Sequence, residues 1–365
     1  DYLDGGRGED LLLGGSGDDQ LLGGFGADAI DGGADDDTID GGVGDDALQG
    51  GSGKDVISGG RGDDTIDGGD DDDQLDGQEG ADDIDGGRGH DLLEGGQRND
   101  VLRGGEGDDT LSGGTGNDDM DGGAGNDELR GGAAQDELSG GDGNDLIYAD
   151  DDETGGAVPA SHTISGGSGN DTIFGSIGVD LIDVGIGNDT VRALAADDVI
   201  IGGLGNDDLD GGSGSDLIWG GEAAYLASAF DLSDPSLFER PMRYDEATTM
   251  VDDLTTVTAY SSYTLADLVT PKVVTGLSVP GVQSDGQDTL RGGDDTDWLF
   301  GGSDSDVIFG GGGHDYIDGG SGNDSDLFGD AGDDVIRGGA GSDVIHGGLG
   351  IDQIYGEEGR DTLYG

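Results

Sequence analysis

Large aliphatic side chains recur every nine residues along most of this chain. Leu12, Leu21, Ile30, Ile39, Leu48, Ile57 and Ile66 open a series that runs on to Leu363, with Met120 and Val191 as its mildest variants. The residues on either side of each aliphatic are mostly polar in the first half, as in Thr65 and Asp67 or Asp119 and Asp121. One apolar position between two polar ones predicts a three-residue strand that buries a single side chain, because successive strand residues point to opposite faces. Ahead of each triplet stand six residues with glycine at the first, second and fourth places and aspartate at the sixth. Glycine takes positive φ without steric cost and leaves its carbonyl bare, so these six predict a tight turn ending in a carboxylate. The phrase Gly-Gly-x-Gly-x-Asp-x-aliphatic-x repeats sixteen times without a break from Gly5 to Tyr148.

Carbonyls and carboxylates together suit a hard cation that accepts six to eight oxygen ligands, calcium before magnesium. Thirty-one aspartates hold the sixth place between Asp10 and Asp361. A nonapeptide of this form resembles the calcium-binding repeats of the RTX (repeats-in-toxin) family, over about four fifths of the chain. The resemblance implies an all-β fold, a right-handed parallel β-roll (β-solenoid) with two phrases per coil, two facing sheets and calcium between stacked turns on each side. Matched residue by residue, it implies carboxylate ligands at Asp10, Asp19, Asp28, Asp37, Asp46, Asp55, Asp64, Asp73, Asp82, Asp91, Asp100, Asp109, Asp118, Asp127, Asp136 and Asp145. Beyond the first interruption it implies Asp171, Asp180, Asp189, Asp207 and Asp216, and beyond the second Asp288, Asp297, Asp306, Asp315, Asp324, Asp334, Asp343, Asp352 and Asp361. The carbonyl ligands would come from the glycine turns, at about one calcium per repeat.

Composition changes this picture in one respect. The chain carries 84 acidic and 14 basic residues, a net charge of −70, and 85 glycines. Low hydrophobicity with high net charge is the signature of disorder. One buried aliphatic contributes about 1.5 to 3 kcal/mol, less than the conformational entropy of the nine residues it serves. The chain is therefore expected to be unfolded without metal and to fold as calcium binds, ligand binding energy becoming folding energy. Nucleic acid is excluded as a partner by charge. There is no cysteine, and no apolar run long enough to span a membrane.

Catalytic motifs are missing: no His-Glu-x-x-His, no Gly-x-Ser-x-Gly and no phosphate-binding glycine loop ending in lysine occurs. His90, His314 and His346 are scattered over repeat positions, and the carboxylates read as calcium ligands, so no enzyme activity is expected. Asn170, Asn188 and Asn323 match a glycosylation acceptor pattern as by-products of the repeat.

Five segments follow: repeats at 1–148, a short acidic insert and degenerate rung at 149–165, repeats at 166–219, a non-repeat insert at 220–282, and repeats at 283–365. The first interruption slips the register by the eight residues 149–156, rich in acid at Asp150, Asp151, Asp152 and Glu153, and then sets His162 where aspartate belongs. A neutral imidazole is a poor calcium ligand, so this rung is expected to be metal-free. The rung 193–201 has lost its glycines to Ala193, Leu194 and Ala196, and Arg98 and Ala134 at fourth positions weaken theirs. Asp35, Asp71, Asp295 and Asp304 at fourth positions are milder, since aspartate tolerates left-handed geometry. One extra residue near Ser325 predicts a bulge.

The 220–282 insert holds four of the five prolines, with a short helix expected over 222–230 and strands over 255–265 and 272–279. It is expected to pack on the roll, where alternation places Leu181, Val199, Ile201, Leu217, Trp219, Trp298, Phe300 and Tyr316 in one outward stripe, with Trp219 stacked on Phe300. Asp1 to Asp4 already occupy the sixth to ninth places of a phrase and Gly365 opens another, so the chain reads as a segment of a longer protein with further repeats at both ends. Two functions fit. One is a calcium-binding structural rod in a bacterial extracellular or cell-surface protein, such as a fibre, surface layer or adhesin, exported by a type I route and open to lateral self-association or a surface ligand. The alternative is the calcium-dependent secretion and folding module of a toxin, protease or lipase.

Overall fold

The computed structural model describes residues 1–150, 159–221 and 286–365, and across them the chain forms short parallel strands joined by turns. The helix expected over 222–230, the strands over 255–265 and 272–279, and the packing of that insert on the tryptophans lie outside the described residues, as do Asp151, Asp152 and Glu153.

Two compact units divide the chain, Asp1–Val199 and Ile200–Gly365, and each is a parallel β-solenoid. In the first, successive strands alternate between two sheets. Tyr2–Arg7, Gln20–Phe25 and Thr38–Val43 begin one; Leu11–Leu13, Ala29–Ala34 and Ala47–Ser52 begin the other. Partners lie two phrases apart, so Leu3 sits beside Leu21 and Leu21 beside Ile39. In the second unit, Asp208–Ser213, Thr289–Asp294 and Val307–Gly312 share one sheet, and Leu217–Trp219, Trp298–Phe300 and Tyr316–Asp318 the other. Eighth-position side chains from both sheets fill the interior: Leu21, Leu93, Leu129, Leu209 and Leu299 are 0% exposed.

Both inserts leave the register intact, and both emerge within a turn. The separation between stacked residues rises from 18 to 26 at the first insert and to 81 at the second. Ala149 keeps the first position, donating its N–H to the Phe174 carbonyl at 2.8 Å and accepting from Gly132 at 3.2 Å. The first extra segment therefore follows Asp150 and does not begin at Ala149, a shift from the boundary that counting suggests. Gly220 likewise keeps a first position, bonded to the Phe300 carbonyl at 2.9 Å, and Gly286 resumes at a fourth, stacked on Gly205. The third turn position between them is outward-facing, as Arg7, Phe25 and Arg61 show, so chain can be added there without disturbing the ladder. The extra residue near the C-terminus is Ser325: Asp324 stays in its column and Asp326 pairs with Val307.

Stacked turns, more than strands, demand glycine. A Cβ at Gly107, whose φ is +138°, would lie 1.4 Å from the carbonyl oxygen of Gly89 one coil away. Where the pattern lapses the backbone keeps its left-handed shape: Leu194, Ala196, Ala134 and Arg98 have φ of +85°, +90°, +97° and +78°. These rungs hold the turn at the expense of strain, about 1 kcal/mol or more each.

On the outer faces of the second unit, seventh- and ninth-position side chains stack from coil to coil. Trp219 lies 5.4 Å from Phe300 and Trp298 5.4 Å from Tyr316, centroid to centroid, as the alternation anticipates. The other sheet carries a column that the sequence reading missed: Phe309, Phe328, His346 and Tyr364 stack at 5.2, 4.7 and 4.5 Å, with the Arg291 guanidinium over Phe309. The first unit has a shorter stack, Arg130 over Tyr148 on Phe174.

The Gly107 contact yields a paired test. Gly107→Ala is expected to cost at least about 3 kcal/mol in calcium-loaded thermal unfolding, from steric conflict with the coil below. Gly8→Ala, whose Cβ meets nothing within 4 Å, is expected to cost only about 1 to 2 kcal/mol of left-handed strain. Equal losses would show that close stacking does not decide the glycine requirement.

Candidate metal centre

Sixth-position aspartates form two columns in each unit, and one hydrogen bond builds them. The Asp10 N–H donates to Asp28 Oδ1 at 2.8 Å, Asp28 to Asp46 at 2.7 Å and Asp46 to Asp64 at 2.8 Å, and this column continues through Asp82, Asp100 and Asp118 to Asp136. Its twin runs from Asp19 through Asp37 to Asp145, Asp171 and Asp189. In the second unit, Asp207, Asp288, Asp306, Asp324, Asp343 and Asp361 form one column, and Asp216, Asp297, Asp315, Asp334 and Asp352 the other. Every aspartate implied by the repeat thus stands in a stacked column.

Oδ1 is spent on this bond, while Oδ2 is left over. At Asp28, Asp64, Asp100, Asp127 and Asp315, among others, Oδ2 is buried with no hydrogen-bond partner. A buried polar oxygen without a partner is costly, and an ionised one far more so. The first-position glycine explains what surrounds it: a Cβ on Gly32 would come within 2.4 Å of Asp37 Oδ2 and 2.8 Å of the Gly50 carbonyl oxygen. A bare glycine therefore leaves a carboxylate oxygen and a backbone carbonyl of the next coil facing the same space. This mixed oxygen set is calcium chemistry. Among the described residues no group of three or more acidic or histidine side chains gathers as a metal cluster, because each turn contributes one carboxylate and takes its other oxygens from the backbone. Bound there, calcium supplies positive charge between like-charged coils.

At Asp64, Asp73, Asp100 and Asp297 burial lifts the carboxyl above the exposed value of 3.8, and the charge of stacked neighbours adds to it, against the lowering effect of the N–H each accepts. Asp64, Asp73 and Asp100 rise to about 7, and Asp297 to about 9.

Two rungs depart from the scheme. At Asp180, Oδ2 accepts the N–H of Ser176 at 2.6 Å, and Ser176 Oγ reaches Oδ1 at 3.2 Å, so a serine in a second position closes this carboxylate off. At His162 the imidazole takes the carboxylate's place and is 2% exposed. Burial pulls its pKa down, yet the Asp136 hydrogen bond and the charges of Asp180, Asp136 and Asp150 outweigh it and raise it. Ser176 does not stand out in sequence and Asp150 does so only as part of the acidic insert, because only the coil geometry turns them inward. At the fifth turn position, Asn126, Asn144, Asn170 and Asn188 bond side chain to side chain at 2.9 to 3.0 Å, which occupies the amides of two of the glycosylation-pattern asparagines.

Since Asp64, Asp73 and Asp100 titrate near 7 in the fold, the metal-free fold takes up protons there: the stability they contribute is present below about pH 4 and is lost as pH rises toward about 7. Calcium reverses this slope, as it binds the ionised carboxylate. In chelator, circular dichroism is expected to show more β-structure at about pH 4 than at about pH 7.5, and in millimolar calcium the opposite. A metal-free chain equally β-rich at both would contradict the cost assigned to the columns.

A comparison with family models agrees with this geometry. A family model described as RTX calcium-binding nonapeptide repeat (4 copies) matches overlapping segments that together cover residues 1–153, 163–224 and 284–365. No curated protein matches the chain. Among solved structures, a hyperactive, Ca2+-dependent, beta-helical antifreeze protein from an Antarctic bacterium is similar at 15% identity and a TM-score of 0.33, over 97% of this chain and 83% of that one. With repeats matched over most of its length and their aspartates stacked in columns, the chain belongs to the family of RTX calcium-binding nonapeptide repeat proteins.

Proposed function

We propose that the chain is a calcium-binding structural segment of a large secreted or cell-surface bacterial protein, folding outside the cell once calcium reaches it. The supporting observation is the aspartate column that runs unbroken from Asp10 to Asp136: one site geometry repeats coil after coil, around an interior filled by aliphatic side chains. The carboxylates are committed to the turns, so the product of the sequence is a stiffened coil. Export in the unfolded state fits a net charge of −70, which repels itself until calcium is met at extracellular concentrations. No helix among the described residues is long and apolar enough to cross a membrane. The aromatic columns of the second unit support lateral self-association as a further element of the proposal.

The secretion and folding module of an attached enzyme or toxin is the competing reading, and it uses the same calcium switch. Pulled from its ends in a single-molecule force experiment, the calcium-loaded chain is expected to yield in discrete steps, and the same chain in chelator or magnesium to extend smoothly. Smooth extension in calcium would remove the structural role. An enzyme fused to the chain whose refolding yield depends on both the chain and calcium would favour the module.

A further inference from the structure

We propose that the Ser176 hydroxyl stands in for a calcium ion between the turns of His162 and Asp180, so that one column carries an ion-free joint that opens first in the calcium-loaded chain. In regular turns, such as those of Asp118 and Asp171, Oδ2 is buried without a partner and shares its space with a backbone carbonyl. At Asp180 that oxygen accepts the Ser176 N–H at 2.6 Å and is satisfied. Ser176 itself is 0% exposed. Its Oγ accepts the Gly178 N–H at 3.0 Å and lies 2.9 Å from the Ala160 carbonyl oxygen and 3.2 Å from Asp180 Oδ1. Ala160 belongs to the His162 turn, so one hydroxyl spans a carbonyl and a carboxylate of successive coils, the kind of pair that faces a cation elsewhere.

The repeat implies a ligand at Asp180, and the geometry withdraws it. The turn before it offers no replacement: His162 Nδ1 accepts the Asp136 N–H at 3.3 Å, which places the ring proton on Nε2 and leaves no lone pair for an ion. The backbone departs as well. The second-position glycines Gly167 and Gly185 have φ of +107° and +102°, whereas Ser176 lies outside the left-handed region. In the twin column beside these coils, Asp145 and Asp171 keep the regular ladder at 2.8 Å with Oδ2 unpartnered. The coils of His162 and Asp180 are therefore bridged by calcium on one side only, an inference that rests on calcium filling the regular turns. A turn that binds the ion gains stability by mass action as calcium rises, and a turn without a site gains none, so the contrast grows with loading.

The test combines an anomalous difference map of calcium-saturated crystals of the full chain with hydrogen–deuterium exchange read by mass spectrometry. Ions are expected along Asp10 to Asp136 and at Asp145 and Asp171, and none between His162 and Asp180. Amides of residues 160–182 are expected to exchange about tenfold faster than those of residues 91–118, and not to slow as calcium is raised. The double change His162→Asp with Ser176→Gly restores the repeat; it is expected to add an ion at this place and to slow exchange to the level of the neighbouring coils. Ser176→Ala removes the hydroxyl bridge without creating a site, and is expected to speed exchange further. An ion held by Asp180 in the unaltered chain, or exchange over residues 160–182 as slow as over residues 91–118, overturns the proposal. A map without ions in any turn would instead refute the calcium reading, so the two failures are distinct.

Discussion

A buried carboxylate oxygen in turn after turn, repeated one strand spacing apart along each column, is the constraint on which this molecule depends. Coils about 4.8 Å apart place like charges in line, and no hydrogen-bond donor within the protein reaches Oδ2 at sites such as Asp64 or Asp100. Asp64 and Asp100 rise to about 7 in consequence, so near neutral pH the metal-free coil must bind a proton, bind a cation or come apart. Calcium meets the requirement with charge and with tolerance for mixed oxygen ligands. The glycines follow from the same need, since a side chain at Gly32 would fill the space shared by Asp37 Oδ2 and the Gly50 carbonyl.

Exceptions to the repeat show which parts of the turn are negotiable. Position six tolerates His162 because Nδ1 can stand near the Asp136 N–H, at 3.3 Å, where a carboxylate oxygen would otherwise accept. Position two tolerates Leu194, Gln78 and Glu357 in left-handed geometry, at a modest cost that a long array can absorb. Position three tolerates whole inserts, for both interruptions begin after a second-position residue that still belongs to the coil. The ladder hydrogen bonds of first-position residues and the hydrogen-bonded columns of sixth-position residues, with His162 standing in for an aspartate in one of them, are what persist through both inserts.

Outer faces carry what individuality the units have. Polar residues dominate the first unit, where Thr65, Asp83, Val101 and Asp119 lie side by side. In the second, Phe309, Phe328, His346 and Tyr364 form a continuous stack on one sheet and Trp298 and Tyr316 pair on the other. In-register parallel pairing turns residues two phrases apart in sequence into neighbours, so a weak local preference becomes a surface feature.

The repeat by itself determined the parallel solenoid, its buried eighth-position column, the aspartate columns and the cation they suit. Each is a local rule restated every nine residues, and stacking two phrases per coil adds no new choice. It also anticipated the Trp219 and Phe300 stack and the left-handed strain at Ala134 and Leu194, which follow from register alone. Only the tertiary structure decided where each insert enters its turn, because counting residues cannot tell an addition before the first position from one after the second. It alone turned Ser176 onto Asp180 and brought Asp150 to His162, contacts between a turn's start and its end whose meaning depends on the path of the chain between them. The aromatic column from Phe309 to Tyr364 had a sequence signal in its ninth positions, but its unity came from in-register pairing across an irregular ten-residue phrase, where the extra Ser325 bulges and leaves Phe328 in line.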